Sequence, residues 1–245
     1  MPGWRHGRRR RSTRGAHAAT ARPHARRRGP GDGDAAVRGR ERLLRHPANG
    51  RLEGGVRLPA KGDNFAPYSE LGVRLGRTYV HERVARTVTA AYAALAALRP
   101  ETVYVYGETG LAQGGRFEPH RTHRNGLSVD FMVPVLDAQG RSVPLPTAAG
   151  NRFGYDLEFD AQARAGELRI DFDAIAAHLL ALHAAAAEEG IRIGRVIFDP
   201  AYLPRLFAAE RGEAVRRRIA FMQRPAWVRH DEHYHVDFEL ACRPP

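Results

Sequence analysis

Five of the chain's twelve histidines fall in two short windows, His120-Arg-Thr-His123-Arg-Asn-Gly126-Leu-Ser-Val-Asp130 and His230-Asp-Glu-His233-Tyr-His235, about a hundred residues apart. If they serve one centre, the fold must carry both windows to the same place. Zinc in a hydrolytic site is usually held by three nitrogen or oxygen ligands, with water in the fourth position. The two windows could supply three such ligands and a base.

The local pattern suggests how. In His233-Tyr-His-Val-Asp-Phe-Glu-Leu240 polar and apolar residues alternate, so a strand places His233, His235, Asp237 and Glu239 on one face and Tyr234, Val236, Phe238 and Leu240 on the other. Histidines two apart on a strand point the same way, roughly 7 Å between Cα atoms, close enough to serve one metal. Such a pair taken alone fits structural histidines at a strand end equally well. Leu127–Val135 alternates too, with Val129, Phe131 and Val133 on one face and Asp130 mid-strand on the other. An aspartate is disfavoured in a strand, so Asp130 is either a surface residue or has a reason to be there.

Two helices are expected behind these strands. Over 82–98, Val84, Val88, Tyr92, Leu95 and Leu98 recur at steps of three and four, and Pro100 follows. Over 171–189, Asp171 caps the start, Gly190 stops the end, and Phe172, Ile175, Leu179 and Leu182 face inward. His178 and His183 read as ordinary helical histidines. Further strands are expected at 102–106 and 191–198, and a short helical region from 200 to near Met222, with Arg216–Arg218 as a solvated face. The glycine-rich loop 107–115 lacks a Gly-Lys-Ser/Thr ending, so tight turns or close backbone approach suit it better than phosphate binding.

Charge does not mark the globular part. The formal net charge is +12, but residues 1–50 hold 14 arginines against three acidic residues, so nearly all of the excess belongs to the N-terminal segment. That segment has few apolar residues to pack and is expected to be a disordered, solvated tail. No apolar stretch of leader length follows its charges, so no secretory leader is expected in it. No apolar run approaches the length of a membrane span. A single cysteine, Cys242, precludes an internal disulfide and a cysteine-based zinc site, and reads as a buried structural thiol.

The motifs Gly107-Glu-Thr-Gly-Leu-Ala-Gln-Gly-Gly-Arg-Phe117, His120-x-x-His123-x-x-Gly126-Leu-x-Val-Asp130 and His230-x-x-His233-x-His235-Val together resemble the penicillin-insensitive murein endopeptidases. These belong to a wider group of zinc peptidases that includes lysostaphin and the D-Ala-D-Ala carboxypeptidases, with the hedgehog signalling domain as a relative. The resemblance covers roughly 47–245, from Ala48-Asn-Gly50 through Phe198-Asp-Pro-Ala201 to Cys242, which implies a tail at 1–46 and a zinc peptidase domain at 47–245. It implies an α+β fold, a small and mainly antiparallel sheet with helices packed on one side and the metal site on the cleft face. It makes His123, Asp130 and His235 the ligands of Zn2+, His233 the general base or polariser of the attacking water, and His120 and His230 further active-site residues. The implied partner is the peptide cross-link of peptidoglycan, cut between D-alanine and meso-diaminopimelate in a periplasmic or extracytoplasmic setting, with no nucleic acid involved. Arg116, Arg121 or Arg124 would pair with a substrate carboxylate or simply stay solvated.

Three departures accompany the resemblance: no visible leader, no disulfides, and a variable insertion at 136–170, with an alternating Tyr155-Asp-Leu-Glu-Phe159, that could reshape the cleft. Two rival readings keep the zinc. One is a D-Ala-D-Ala-type carboxypeptidase or dipeptidase, whose base is a glutamate near the last histidine; here Glu232 is expected off the site face. The other is a non-catalytic zinc protein whose arginine-rich tail binds anionic cell-wall polymer or nucleic acid.

Overall fold

The computed structural model describes residues 50–224 and 226–240. The expected tail and Cys242 lie outside the described residues. In chain order the first half holds β1 (Val56–Arg57), β2 (Phe65–Pro67), α1 (Glu70–Arg74), β3 (Tyr79–Val80), α2 (Glu82–Leu98), β4 (Tyr104–Tyr106) and β5 (Ser128–Met132). There follow β6 (Val135–Leu136), β7 (Ser142–Val143), β8 (Arg164–Ala165), β9 (Leu168–Ile170), α3 (Phe172–Glu188), β10 (Ile191–Ile197), α4 (Leu203–Ala208), α5 (Gly212–Arg218) and β11 (His233–Leu240).

A five-stranded sheet in the order β10-β11-β5-β4-β2 organises the molecule, antiparallel except for the parallel β2–β4 edge. The histidine strand β11 lies near its middle, paired with β5 so that His233 faces Met132, His235 faces Asp130 and Asp237 faces Ser128. Directly opposed residues on one face lie within side-chain reach, so this register alone brings Asp130 and His235 together.

The other face of the sheet forms the core. Val129, Phe131, Tyr234, Val236 and Phe238 are buried there together with Val84, Val88, Tyr92 and Leu95 of α2 and Ile175, Leu179 and Leu182 of α3. Each such side chain contributes about 1.5–3 kcal/mol by leaving water. Both helices start where the sequence signals. The His81 ring accepts the Arg83 N–H ahead of α2, the Asp171 carboxylate accepts the Ala174 N–H ahead of α3, and Gly190 ends α3 at φ +65°. Leu98, expected at the end of the α2 stripe, is instead exposed.

Four short pieces of chain, Val135 and parts of segment 136–170, form a second sheet in the order β7-β6-β9-β8, all antiparallel. The alternation at Tyr155–Phe159 does not become a strand. A 3-10 turn over Ala149–Gly154 precedes it, with Arg152, Phe153 and Gly154 at φ +50°, +59° and +101°, which reverses the chain where a strand would have to run on. None of the described helices is long and apolar enough to cross a membrane. The architecture is α+β, as the sequence implies.

Candidate metal centre

The loop after β4 and the first histidine window pack backbone against backbone. Gly110, at φ +156°, lies where an added Cβ would meet the His123 carbonyl oxygen at 2.9 Å, and at Gly114 a Cβ would collide with the carbonyl of Arg124. These glycines permit the close approach that the sequence suggested. The Gly115 N–H donates to Arg124 O at 2.7 Å, and His123 itself sits at φ +62°, a left-handed conformation that costs a non-glycine residue about 1 kcal/mol or more. The loop thus fixes an imidazole in a backbone state it would not choose alone.

Three atoms converge at the result. His123 Nε2 lies 3.1 Å from His235 Nδ1 and 3.2 Å from Asp130 Oδ1, and His235 Nδ1 lies 2.8 Å from the same Asp130 oxygen. All three side chains are buried. The outer nitrogens are already engaged: His123 Nδ1–H donates to Thr109 O at 3.0 Å and His235 Nε2–H to Asp237 Oδ1 at 2.7 Å. Metal-binding imidazoles are held through their far nitrogen in this way. With those protons placed outward, two ring lone pairs and a carboxylate oxygen face one point, and that arrangement requires a positive charge between them. A proton on His235 or a metal ion can provide it, and the donor set of two imidazoles and a carboxylate suits a divalent cation of borderline softness.

The electrostatics follow the same logic. Burial pushes the Asp130 carboxyl up, but the facing His123 and His233 rings and the hydrogen bond from His235 outweigh it and hold it well below the usual carboxylate range. Burial pushes His235 down, yet Asp237 and Asp130 on either side raise it well above an ordinary imidazole. His123, buried with weaker compensation from Asp130, is lowered. A second combination also places donor atoms within 4.8 Å of one another, His120 with His123 and Asp130. The triangle with His235, whose edges are 2.8, 3.1 and 3.2 Å, is the tighter of the two.

The remaining window histidines line the same centre. His233 Nε2 lies 4.0 Å from Asp130 Oδ1, and its Nδ1 is hydrogen-bonded to Glu232 Oε1 at 2.8 Å. This corrects the expectation that Glu232 lies away from the site. It precedes β11, in a bend where strand alternation no longer governs direction, and it is buried. Burial raises the Glu232 carboxyl to about 8 and lowers His233 to about 4. The His230 ring lies against that of His233, centroids 4.5 Å apart, and its Nδ1–H donates to Val228 O at 2.8 Å, which leaves Nε2 available. Glu108, backing His120, also accepts Tyr68 Oη–H at 2.9 Å and pairs with Arg77. Burial works against its charge, but His120 and Arg77 bring its pKa down to about 2.

The structure therefore brings His120, His123, Asp130, His230, His233 and His235 into one cluster. Sequence reading placed Glu232 off the site, and it missed Glu108 behind His120 and Tyr155, whose hydroxyl hydrogen-bonds Asp130 Oδ2 at 3.0 Å. Glu108 carried a signal, since it stands in the glycine-rich motif; Tyr155 carried none. The three arginines separate. Arg116 pairs with Glu118, Arg121 lies 5.6 Å over the Trp227 ring, and Arg124 Nε is buried with no hydrogen-bond partner.

The family model described as penicillin-insensitive murein endopeptidase matches residues 44–244. No curated protein matches the chain.

Proposed function

The chain belongs to the penicillin-insensitive murein endopeptidase family, and from that premise we propose that it is a zinc enzyme hydrolysing the D-alanyl–meso-diaminopimelyl cross-links of peptidoglycan outside the cytoplasm. His123, Asp130 and His235 would hold the zinc. The observation that carries this reading is the triangle of their donor atoms, with edges of 2.8, 3.1 and 3.2 Å and both far imidazole nitrogens already engaged. The chemistry zinc supplies when bound is Lewis acidity, which acidifies a water and polarises a carbonyl.

His233 is the base. Its pKa of about 4 keeps it neutral near pH 7, and Glu232 occupies Nδ1, so the ring addresses the centre through Nε2. There it takes the proton of the attacking water as the new C–O bond forms, and returns it to the amine as the C–N bond breaks. His120, held by Glu108, is placed to bind the substrate carbonyl oxygen as it gains charge when both its ring nitrogens carry protons, whereas His230, whose Nδ1–H is given to Val228 O, offers its Nε2 lone pair to a substrate N–H. No acyl-enzyme forms, so a β-lactam has no serine to acylate. Arg121 and Arg124 are the better candidates for a substrate carboxylate, because Arg116 is paired with Glu118.

The test is digestion of a purified cross-linked muropeptide dimer by the full chain, with and without added zinc, beside His233→Ala. Zinc-dependent conversion of dimer to monomer that His233→Ala abolishes is expected. Release of free D-alanine instead would transfer the protein to the carboxypeptidase reading, and a zinc-loaded protein that leaves the dimer intact would sink the cross-link endopeptidase reading in favour of another peptide substrate or a binding role.

A further inference from the structure

We infer that Tyr155, from segment 136–170, is a positioning residue of the metal centre, holding Asp130 so that one carboxylate oxygen alone addresses the two imidazoles; this rests on the zinc reading above. The two Asp130 oxygens have different company. Oδ1 faces His123, His235 and, further off, His233. Oδ2 accepts the Tyr155 hydroxyl at 3.0 Å.

That hydroxyl has a single proton, and its direction is fixed, because the same oxygen accepts the Glu108 backbone N–H at 2.9 Å. Glu108 O in turn accepts the Asp130 N–H at 3.0 Å, so tyrosine, glutamate backbone and aspartate close into one ring of hydrogen bonds. Room for the hydroxyl is made by Gly107, where an added Cβ would lie 2.6 Å from it and 3.0 Å from Asp130 Cβ.

The Tyr155 ring also stands edge-on to His233, centroids 5.0 Å apart, and 6.3 Å from His120, so it spaces these two histidines. The turn that delivers it is built for the purpose. Asn151 donates to Pro146 O at 2.8 Å and accepts the Gly154 N–H at 2.9 Å, which ties the chain down immediately before Tyr155. The segment that reads as an insertion thus closes the outer side of the metal cage.

Outer-shell partners of this kind are worth about 10–100-fold in metal affinity. Zinc affinity of the full chain is measured by competition with a chromophoric chelator for the parent, Tyr155→Phe and Tyr202→Phe, with thermal unfolding of each in excess chelator. Tyr202 is the control, a hydroxyl bonded to Asp160 O and Arg229 rather than to any of the three proposed ligands. Tyr155→Phe is expected to bind zinc about 10–100-fold more weakly while its metal-free form still unfolds in one cooperative transition, lowered about as much as that of Tyr202→Phe, which likewise loses two hydroxyl hydrogen bonds, and Tyr202→Phe to keep parental affinity. Parental affinity in Tyr155→Phe, or equal weakening in both variants, overturns the role of Tyr155 and leaves the zinc reading standing. A parent that binds no zinc overturns both, and is distinguished by the parent's own titration.

Discussion

Each face of the central sheet has a buried histidine against it, and the two behave in opposite ways. On the cleft face His235 lies between Asp130 and Asp237, and although burial works against its charge, the two carboxylates raise its pKa well above the usual imidazole value. On the helix face His178 of α3 stacks on Tyr92 with centroids 5.1 Å apart, packs against Tyr104 and Phe131, and hydrogen-bonds the Tyr234 hydroxyl. No carboxylate contributes there, and burial alone lowers its pKa to about 3. Both rings are almost fully enclosed, so depth does not separate them. The charge of the partners does: one face is arranged to hold a cation and the other to exclude it.

The largest expected effect tests that division directly. His233→Ala should lower turnover of the muropeptide dimer by about 10²–10⁴-fold, the usual contribution of a positioned base, while zinc content stays at the parental level. His178→Phe, on the other face, should leave turnover near parental. If His178→Phe silences a folded, zinc-loaded enzyme, the two faces are not independent and the comparison breaks.

The two faces were not equally legible in the sequence. Period-two alternation in β5 and β11 is a local signal, and it placed Asp130, His233 and His235 together because antiparallel pairing conserves the parity of each strand. The apolar stripes of α2 and α3 were legible for the same reason, with only Leu98 misplaced. What escaped were the residues that orient the histidines. Glu232 stands in the bend before β11, where parity does not extend. Tyr155 reaches Asp130 because three consecutive positive-φ residues turn the chain, and nothing in the composition of that turn says where it will point. Contacts made by topology rather than by period have no signature in one chain read alone.

Acidification gives the next effect in size. An unfolded histidine takes up its proton near pH 6.5, whereas His178 in the folded protein resists until about 3. Between those values the unfolded chain holds the extra proton, so the stability His178 contributes is complete above pH 6.5 and lost as pH falls through the window, by about 1.4 kcal/mol per unit. The groups facing it, Tyr92, Tyr104 and Tyr234, are all uncharged in this range, their pKa values raised by burial. His230 and His233, lowered to about 3 and about 4, add acid sensitivity of their own on the cleft face. The measurement is therefore a difference, urea unfolding of His178→Phe against the parent from pH 7 to 4. The gap between the two curves should shift in favour of the variant as pH falls, and a constant gap would mean that His178 is not held neutral.

The smallest effect is the sharpest, because it lies between the two histidines of β11. Tyr234 alternates with His233 and His235, yet its side chain goes to the helix face, where its hydroxyl meets His178. Tyr234→Phe keeps the ring and removes only that hydrogen bond, leaving His178 Nδ1 buried without a partner, at a cost of about 1–2 kcal/mol in unfolding free energy. The backbone of β11 is held on both sides by β5 and β10, so the strand should not shift and zinc affinity and turnover should stay parental. A lower unfolding midpoint with an unaltered active site would show that neighbouring residues of one strand carry stability on one face and chemistry on the other. Loss of zinc affinity in Tyr234→Phe would instead make the helix face part of the metal's support, and His178 would then have to be counted with the site.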